Sequence, residues 1–145
     1  MDLGELYQDL ILDHSQRPHH FAKPPGANRV ALGHNPLCGD RYTVYLVMEG
    51  DRIAGVGFEG QGCAISKSSA SLMTDAVSGK TRAEAEDLAR RFQEMVTGKG
   101  KDEGLGKLLA LAGVSAFPMR VKCASLAWHT LKAALDSRAE PVTSE

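Results

Sequence analysis

Apolar and polar positions divide the chain into a helical opening, a strand-rich middle and a helical second half. At the start, Leu3, Leu6, Tyr7, Leu10 and Ile11 recur at helical spacing, with Glu5, Gln8, Asp9 and Asp13 between them. This predicts a helix over 2–14 that stops before Pro18. Pro18, Pro24 and Pro25 make 15–25 an ordered loop. Residues 28–32 read as a short first strand. From Arg41 to Met48 the pattern alternates, Tyr42, Val44, Leu46 and Met48 on one face and Thr43, Tyr45 and Val47 on the other. A turn at Glu49-Gly50-Asp51 leads into a strand from Arg52 to Phe58, completing a hairpin. Both faces carry apolar residues, so helices are expected on at least one side.

From Ala64 the period lengthens. Ile65, Ser69, Leu72, Met73, Ala76 and Val77 form a helical stripe ended by Gly79. Thr81 and Glu84 have the spacing of a capping box for a second helix, whose apolar face is Ala85, Leu88, Ala89, Phe92, Met95 and Val96. Gly98 to Gly104 reads as a flexible polar loop, followed by a short helix over about 105–112. Pro118 blocks a helix before it, and Cys123 to Leu135 forms the last helix. The tail from about 137 is expected to fray. Grouped strands followed by grouped helices give one α+β domain over 1–145, a small antiparallel sheet of about three strands with helices packed against it.

Composition narrows the function classes. In 145 residues, Lys+Arg number 17 against 18 Asp+Glu, a formal net charge of −1. That balance leaves no electrostatic footprint for nucleic acid. No apolar run approaches the ~20 residues of a membrane-spanning helix. The opening Met1-Asp2-Leu3-Gly4-Glu5 is acidic and shows no secretory signal, so the expected compartment is the cytoplasm, where Cys38, Cys63 and Cys123 stay reduced.

Some motifs mislead. Gly55-Val56-Gly57-Phe58-Glu59-Gly60 has the spacing of a dinucleotide fingerprint but lies in a hairpin strand rather than opening a helix after a parallel strand. Gly79-Lys80-Thr81 resembles the end of a phosphate loop, yet the earlier glycine is replaced by Thr74. His19-His20 sits in a proline-flanked loop with no adjacent ligand-spaced partner and reads as a solvated pair.

The cysteines are the stronger signal. Cys38-Gly39-Asp40 enters the first hairpin strand, Cys63 follows Gly60-Gln61-Gly62 just before a helix, and Cys123 is placed at the start of the last helix. Free backbone N–H groups at such boundaries favour thiolate, so at least two of these thiols are expected to have lowered pKa values. Three thiolates and Asp40 make four ligands, suited to tetrahedral Zn²⁺ or to an iron–sulfur cluster. Asp40 is the hard, weak member of that set, and Arg41, Arg120 and Lys122 flank it to balance its negative charge. Core-filling thiols are the plainer alternative.

Four segments carry a family resemblance: Leu6-Tyr7 with Ile11-Leu12-Asp13-His14; Asn35-Pro36-Leu37-Cys38-Gly39-Asp40; Phe58-Glu59-Gly60-Gln61-Gly62-Cys63-Ala64-Ile65-Ser66; and Phe117-Pro118-Met119-Arg120-Val121-Lys122-Cys123-Ala124-Ser125-Leu126-Ala127-Trp128. Together they resemble the SufU branch of the iron–sulfur assembly scaffold superfamily, over nearly the whole chain. The resemblance implies Zn²⁺ on Cys38, Asp40, Cys63 and Cys123. It implies a pyridoxal-phosphate (PLP) cysteine desulfurase as partner and an iron–sulfur scaffold downstream. It also implies that a desulfurase histidine displaces one zinc-bound cysteine, by analogy Cys38, which then takes the persulfide sulfur. Arg120 is expected either to support this electrostatically or to be a solvated arginine at the helix entry, and Lys122 to support it or only to balance charge. Three features depart from the cluster-building Isc branch. Lys122 stands where that branch has histidine, Ala116-Phe117-Pro118-Met119-Arg120 replaces its Leu-Pro-Pro-Val-Lys motif, and the chain is longer around 98–113. They favour sulfur transfer over the alternative, assembly of a labile cluster on the same ligands. A zinc-stabilised interaction module is a third reading, disfavoured by Asp40.

Overall fold

The computed structural model describes residues 3–100, 104–137 and 141–143. Helix α1 spans Leu3–Gln16 and is followed by strands β1 (Arg29–Asn35), β2 (Asp40–Glu49) and β3 (Arg52–Gln61). Helices α2 (Ala64–Val77) and α3 (Arg82–Val96), a 3₁₀ segment (Gly106–Ala116) and helix α4 (Pro118–Leu135) follow, and β4 (Val142–Thr143) closes the chain. The sheet order is β3-β2-β1-β4, antiparallel except for the β1–β4 pair. The mixed α/β class stands, with four strands where about three were expected.

The alternation read in β2 sets the sheet's two faces. Tyr42, Val44 and Leu46 are buried, while Thr43, Tyr45 and Val47 are half-buried. On the covered face β1 lies directly against α4, because Gly33 has no side chain: a Cβ there would be 2.0 Å from Thr130 Oγ1. The opposite face leaves Val30 and Leu32 exposed. The core joins Val44, Leu46, Ile53 and Phe58 of the sheet to Leu72, Met73, Leu126 and Leu131 of the helices. Phe92 of α3 stacks on Trp128 of α4 at 4.6 Å between ring centroids.

The Thr81–Glu84 capping box forms as read. The glycines of the false dinucleotide motif lie in β3, where a Cβ on Gly57 would be 2.1 Å from the carbonyl oxygen of Ala22. Helix α2 is buried more fully than its apolar stripe suggested, with Ser66, Ser68, Ser69, Ser71 and Thr74 all inside. Their hydroxyls find partners: Ser69 donates to the Ala124 carbonyl at 2.6 Å, and Ser68 and Thr74 return to carbonyls one turn back.

Three elements differ from the sequence reading. Helix α4 begins at Pro118 rather than Cys123, because proline at the first helical position loses no hydrogen bond and starts the helix instead of blocking it. The segment after the glycine loop is a 3₁₀ run ending at Ala116, with Leu108, Leu111 and Val114 buried, so the extra length is partly core. Val142 and Thr143 pair in parallel with Gly33 and His34, so this part of the expected frayed tail is strand. The rest of that tail at 138–140 and 144–145, and the centre of the polar loop at 101–103, lie outside the described residues.

Candidate metal centre

The site is built where the β1–β2 loop, the β3–α2 corner and α4 meet. Asn35, the last residue of β1, is fully buried and organises the loop. Its carbonyl accepts the N–H groups of Cys38 (3.2 Å) and Gly39 (2.9 Å), and its Oδ1 accepts the Leu37 N–H. Gly39 supplies the positive φ of 73° that the turn needs. The loop thereby presents Cys38 at the surface.

Asp40 opens β2 opposite Asn35 and is 0% exposed. Its Oδ1 accepts the Cys63 backbone N–H at 3.1 Å, and its Oδ2 is buried with no hydrogen-bond partner among the described residues. Burying an unpaired carboxylate oxygen is costly, so this atom calls for a cation. Gly62 makes the approach possible. A Cβ there would lie 2.3 Å from Ser66 Oγ, 2.4 Å from Tyr42 Oη and 2.8 Å from Asp40 Oδ1. Tyr42 and Ser66 hydrogen-bond to each other at 2.8 Å below it, and burial pushes the Tyr42 hydroxyl pKa upward.

Cys63 is the N-cap of α2, as its position before the helix suggested, and its sulfur accepts the Ser66 N–H. Cys123 is 4% exposed and sits in the second turn of α4. Its thiol lies 3.5 Å from Cys38 Sγ, and Asn35 Nδ2 is 3.8 Å from Cys123 Sγ. Burial pushes the Cys123 pKa well up, with the neighbouring Cys38 thiol, Cys63 and Asp40 acting in the same direction. The expected helix-terminal lowering therefore fails for Cys123: it is not at the terminus, and desolvation dominates. One ligand atom each from Cys38, Asp40 and Cys123 fall within 4.8 Å of one another. Cys63 stands beside this trio, joined to it by its backbone bond to Asp40. Soft sulfurs with one orphaned carboxylate oxygen fit a thiophilic cation.

Residues 6–137 match the family described as NifU-like N terminal domain. The chain belongs to this family. Among NifU-like relatives, it is 45% identical over 135 residues to the iron-sulfur cluster assembly scaffold protein IscU of Streptococcus pyogenes serotype M1, covering 92% of this chain and 84% of that one. It is 40% identical to the zinc-dependent sulfurtransferase SufU of Bacillus subtilis, covering 90% of each. A crystal structure of a protein assigned as an iron-sulfur cluster assembly scaffold of the SUF system of Fervidobacterium islandicum superposes with a TM-score of 0.84. That chain is 38% identical, and the match covers 92% of this chain and 99% of that one. The family is thus that of the iron–sulfur cluster assembly scaffold proteins.

In this NifU-like domain the flanking cations differ in exposure. Arg120 is exposed, with its guanidinium 4.4 Å from the centre of the Phe117 ring. It also lines a cleft of about 560 Å³ between α1, the 3₁₀ segment and α4, together with Asp9, Leu12 and Ile65. Arg41 is exposed and Lys122 half-buried. Around the site, Leu37, Phe117 and Met119 are large exposed apolar side chains. Asn35, Gly62, Tyr42 and Ser66 were not singled out for the site by residue type. Asn35, Gly62 and Ser66 entered only as members of the segments that carry the family resemblance. No helix among the described residues is long and apolar enough to cross a membrane.

Proposed function

We propose that this chain is a zinc-dependent sulfur acceptor and carrier for iron–sulfur cluster assembly, taking persulfide sulfur from a PLP-dependent cysteine desulfurase and passing it to a downstream scaffold. The observation that carries this reading is the pairing of an exposed Cys38 with a buried Cys123 and an orphaned Asp40 oxygen. The B. subtilis relative described as a zinc-dependent sulfurtransferase supports the choice of metal. Cys38, Asp40, Cys63 and Cys123 would hold Zn²⁺, whose chemistry is to keep sulfur deprotonated at neutral pH.

The chain's own residues divide the labour. Cys38 rides on a surface loop and is the nucleophile. Its thiolate attacks the outer sulfur of the partner's persulfide, a new S–S bond forms at Cys38, the old one breaks, and the partner's cysteine leaves as thiolate. Cys63 is held by the Ser66 amide and Cys123 is buried, so neither is as free to move. Asp40 anchors the Cys63 corner through its backbone bond. Arg120, outside the sulfur cluster, attracts the anionic persulfide. The exposed Leu37, Phe117 and Met119 supply an apolar rim for the desulfurase.

The test is alanine production by the desulfurase with and without the zinc-loaded chain. A many-fold rise that disappears in Cys38→Ser is expected. An unchanged rate with the wild-type chain, or full stimulation by Cys38→Ser, overturns the reading. The 45% identity to a relative named as a scaffold favours a second reading, cluster assembly on the same residues. A visible absorption band after reconstitution with iron and sulfide, transferable to an acceptor, would support it.

A further inference from the structure

Three imidazoles converge on one carboxylate at the opposite end of α2 from Cys63. His14, near the end of α1, is 2% exposed, with Nδ1 2.6 Å from Ser71 Oγ. The same hydroxyl oxygen accepts the His19 backbone N–H at 2.7 Å. His19 Nδ1 lies 2.6 Å from Asp75 Oδ2, and His20 Nε2 lies 3.3 Å from Asp75 Oδ1. The His14 and His19 rings are 4.3 Å apart and tilted by 44°. One ligand atom each from His14, His19 and Asp75 fall within 4.8 Å of one another. The His19-His20 pair is exposed, as expected of a solvated pair, and both rings turn onto Asp75.

We propose that His14, His19 and Asp75 form a second metal site, for a borderline divalent ion such as Zn²⁺, with a fourth position open to water or to His20. Two imidazoles and one carboxylate with an open position is a donor set that zinc accepts. It contains no sulfur, so its preferences differ from those of the cysteine centre. Ser71 holds His14 through Nδ1, which leaves Nε2 as the ligating nitrogen, as a hydrogen-bond partner of a ligating imidazole does. His20 adopts a positive φ of 55°, a conformation histidine tolerates better than most residues, and this aims a second imidazole of the loop at the same carboxylate. Asp75 and His19 are partly exposed, which leaves an ion a way in. From Ser71 to Cys63 is eight residues of α2, about 12 Å at ~1.5 Å per residue, so the two centres are separate.

Cobalt titration of the full chain distinguishes the centres, because thiolate ligation gives an intense near-ultraviolet charge-transfer band and imidazole–carboxylate ligation does not. The expected result is a Co²⁺ binding event without that band. His19→Ala and Asp75→Asn should weaken it by more than the ~10–100-fold typical of losing an outer-shell partner, since each removes a direct ligand. The thiolate band and the far-ultraviolet circular dichroism should be retained in both. With Zn²⁺, the ring ¹⁵N shifts of His14 and His19 in the wild-type chain report the same event without any variant. Absence of the event and of the ¹⁵N shifts, or binding undiminished in both variants, overturns the proposal. Neither result bears on the cysteine centre, whose band is read independently.

Discussion

Single atoms decide the geometry of the cysteine centre, and Gly62 is the sharpest case. A methyl group there would press on Ser66 Oγ, Tyr42 Oη and Asp40 Oδ1 together. Gly62→Ala should push the β3–α2 corner outward and stretch the bond from the Cys63 N–H to Asp40. A loss of about 1–3 kcal/mol in urea unfolding is expected, from one buried polar group left unsatisfied. Zinc affinity, read by competition with a chelator, should fall with it. Gly113→Ala is the control, because a Cβ there meets nothing within 4 Å, and it should change neither. The chemistry-bearing residue types were legible in the sequence, since cysteines and an aspartate at turns advertise themselves. Asn35, Tyr42 and Ser66 were not, because their roles exist only through partners. The Tyr42–Ser66 pair spans 24 positions and the Asn35–Cys123 contact 88. The partner of His19 was not legible for the same reason, since its carboxylate lies 56 positions away.

Helix α4 shows how an element's start changes the chemistry it carries. The start expected at Cys123 lies at Pro118 instead, so Cys123 moves from the helix mouth into the core and burial raises its pKa. The strands and α3 were legible because alternation and a capping box are local signals. The 3₁₀ segment and the start of α4 depended on packing that no short window contains. Further along α4, burial pushes the His129 pKa below its usual 6.5, with Lys132 acting in the same direction. A depressed imidazole pKa stabilises the fold above about 6.5, and that contribution is lost as pH falls through the folded-state value. The urea midpoint of the wild type should therefore drop more between about pH 7.5 and 5.5 than that of His129→Gln. An identical drop in both would show that His129 does not carry the effect.

At the scale of the molecule, the cysteine centre joins segments that the main core leaves at its edge. The core from Val44 to Leu131 includes none of the four proposed ligands, so zinc extraction should lower the melting temperature without unfolding the chain. Hydrogen exchange should quicken at 35–42 and 61–66 while α3 keeps its protection. Global collapse on chelation would contradict this division. The α+β class could be read from the order of elements, but β4 could not, since two residues carry no strand pattern of their own. Their pairing with Gly33 and His34 has a consequence for recognition. On the far side of the sheet, the Phe58 N–H is taken by the carbonyl of His20. At Gly33 and His34, close to the cysteine loop, and at Phe58 the outer main-chain groups of the sheet are thus already engaged. A partner arriving here has little backbone to zip onto and must recognise side chains at the sheet's end. Specificity on this face then rests on surface side chains, which can vary without disturbing the main-chain pairing of the sheet.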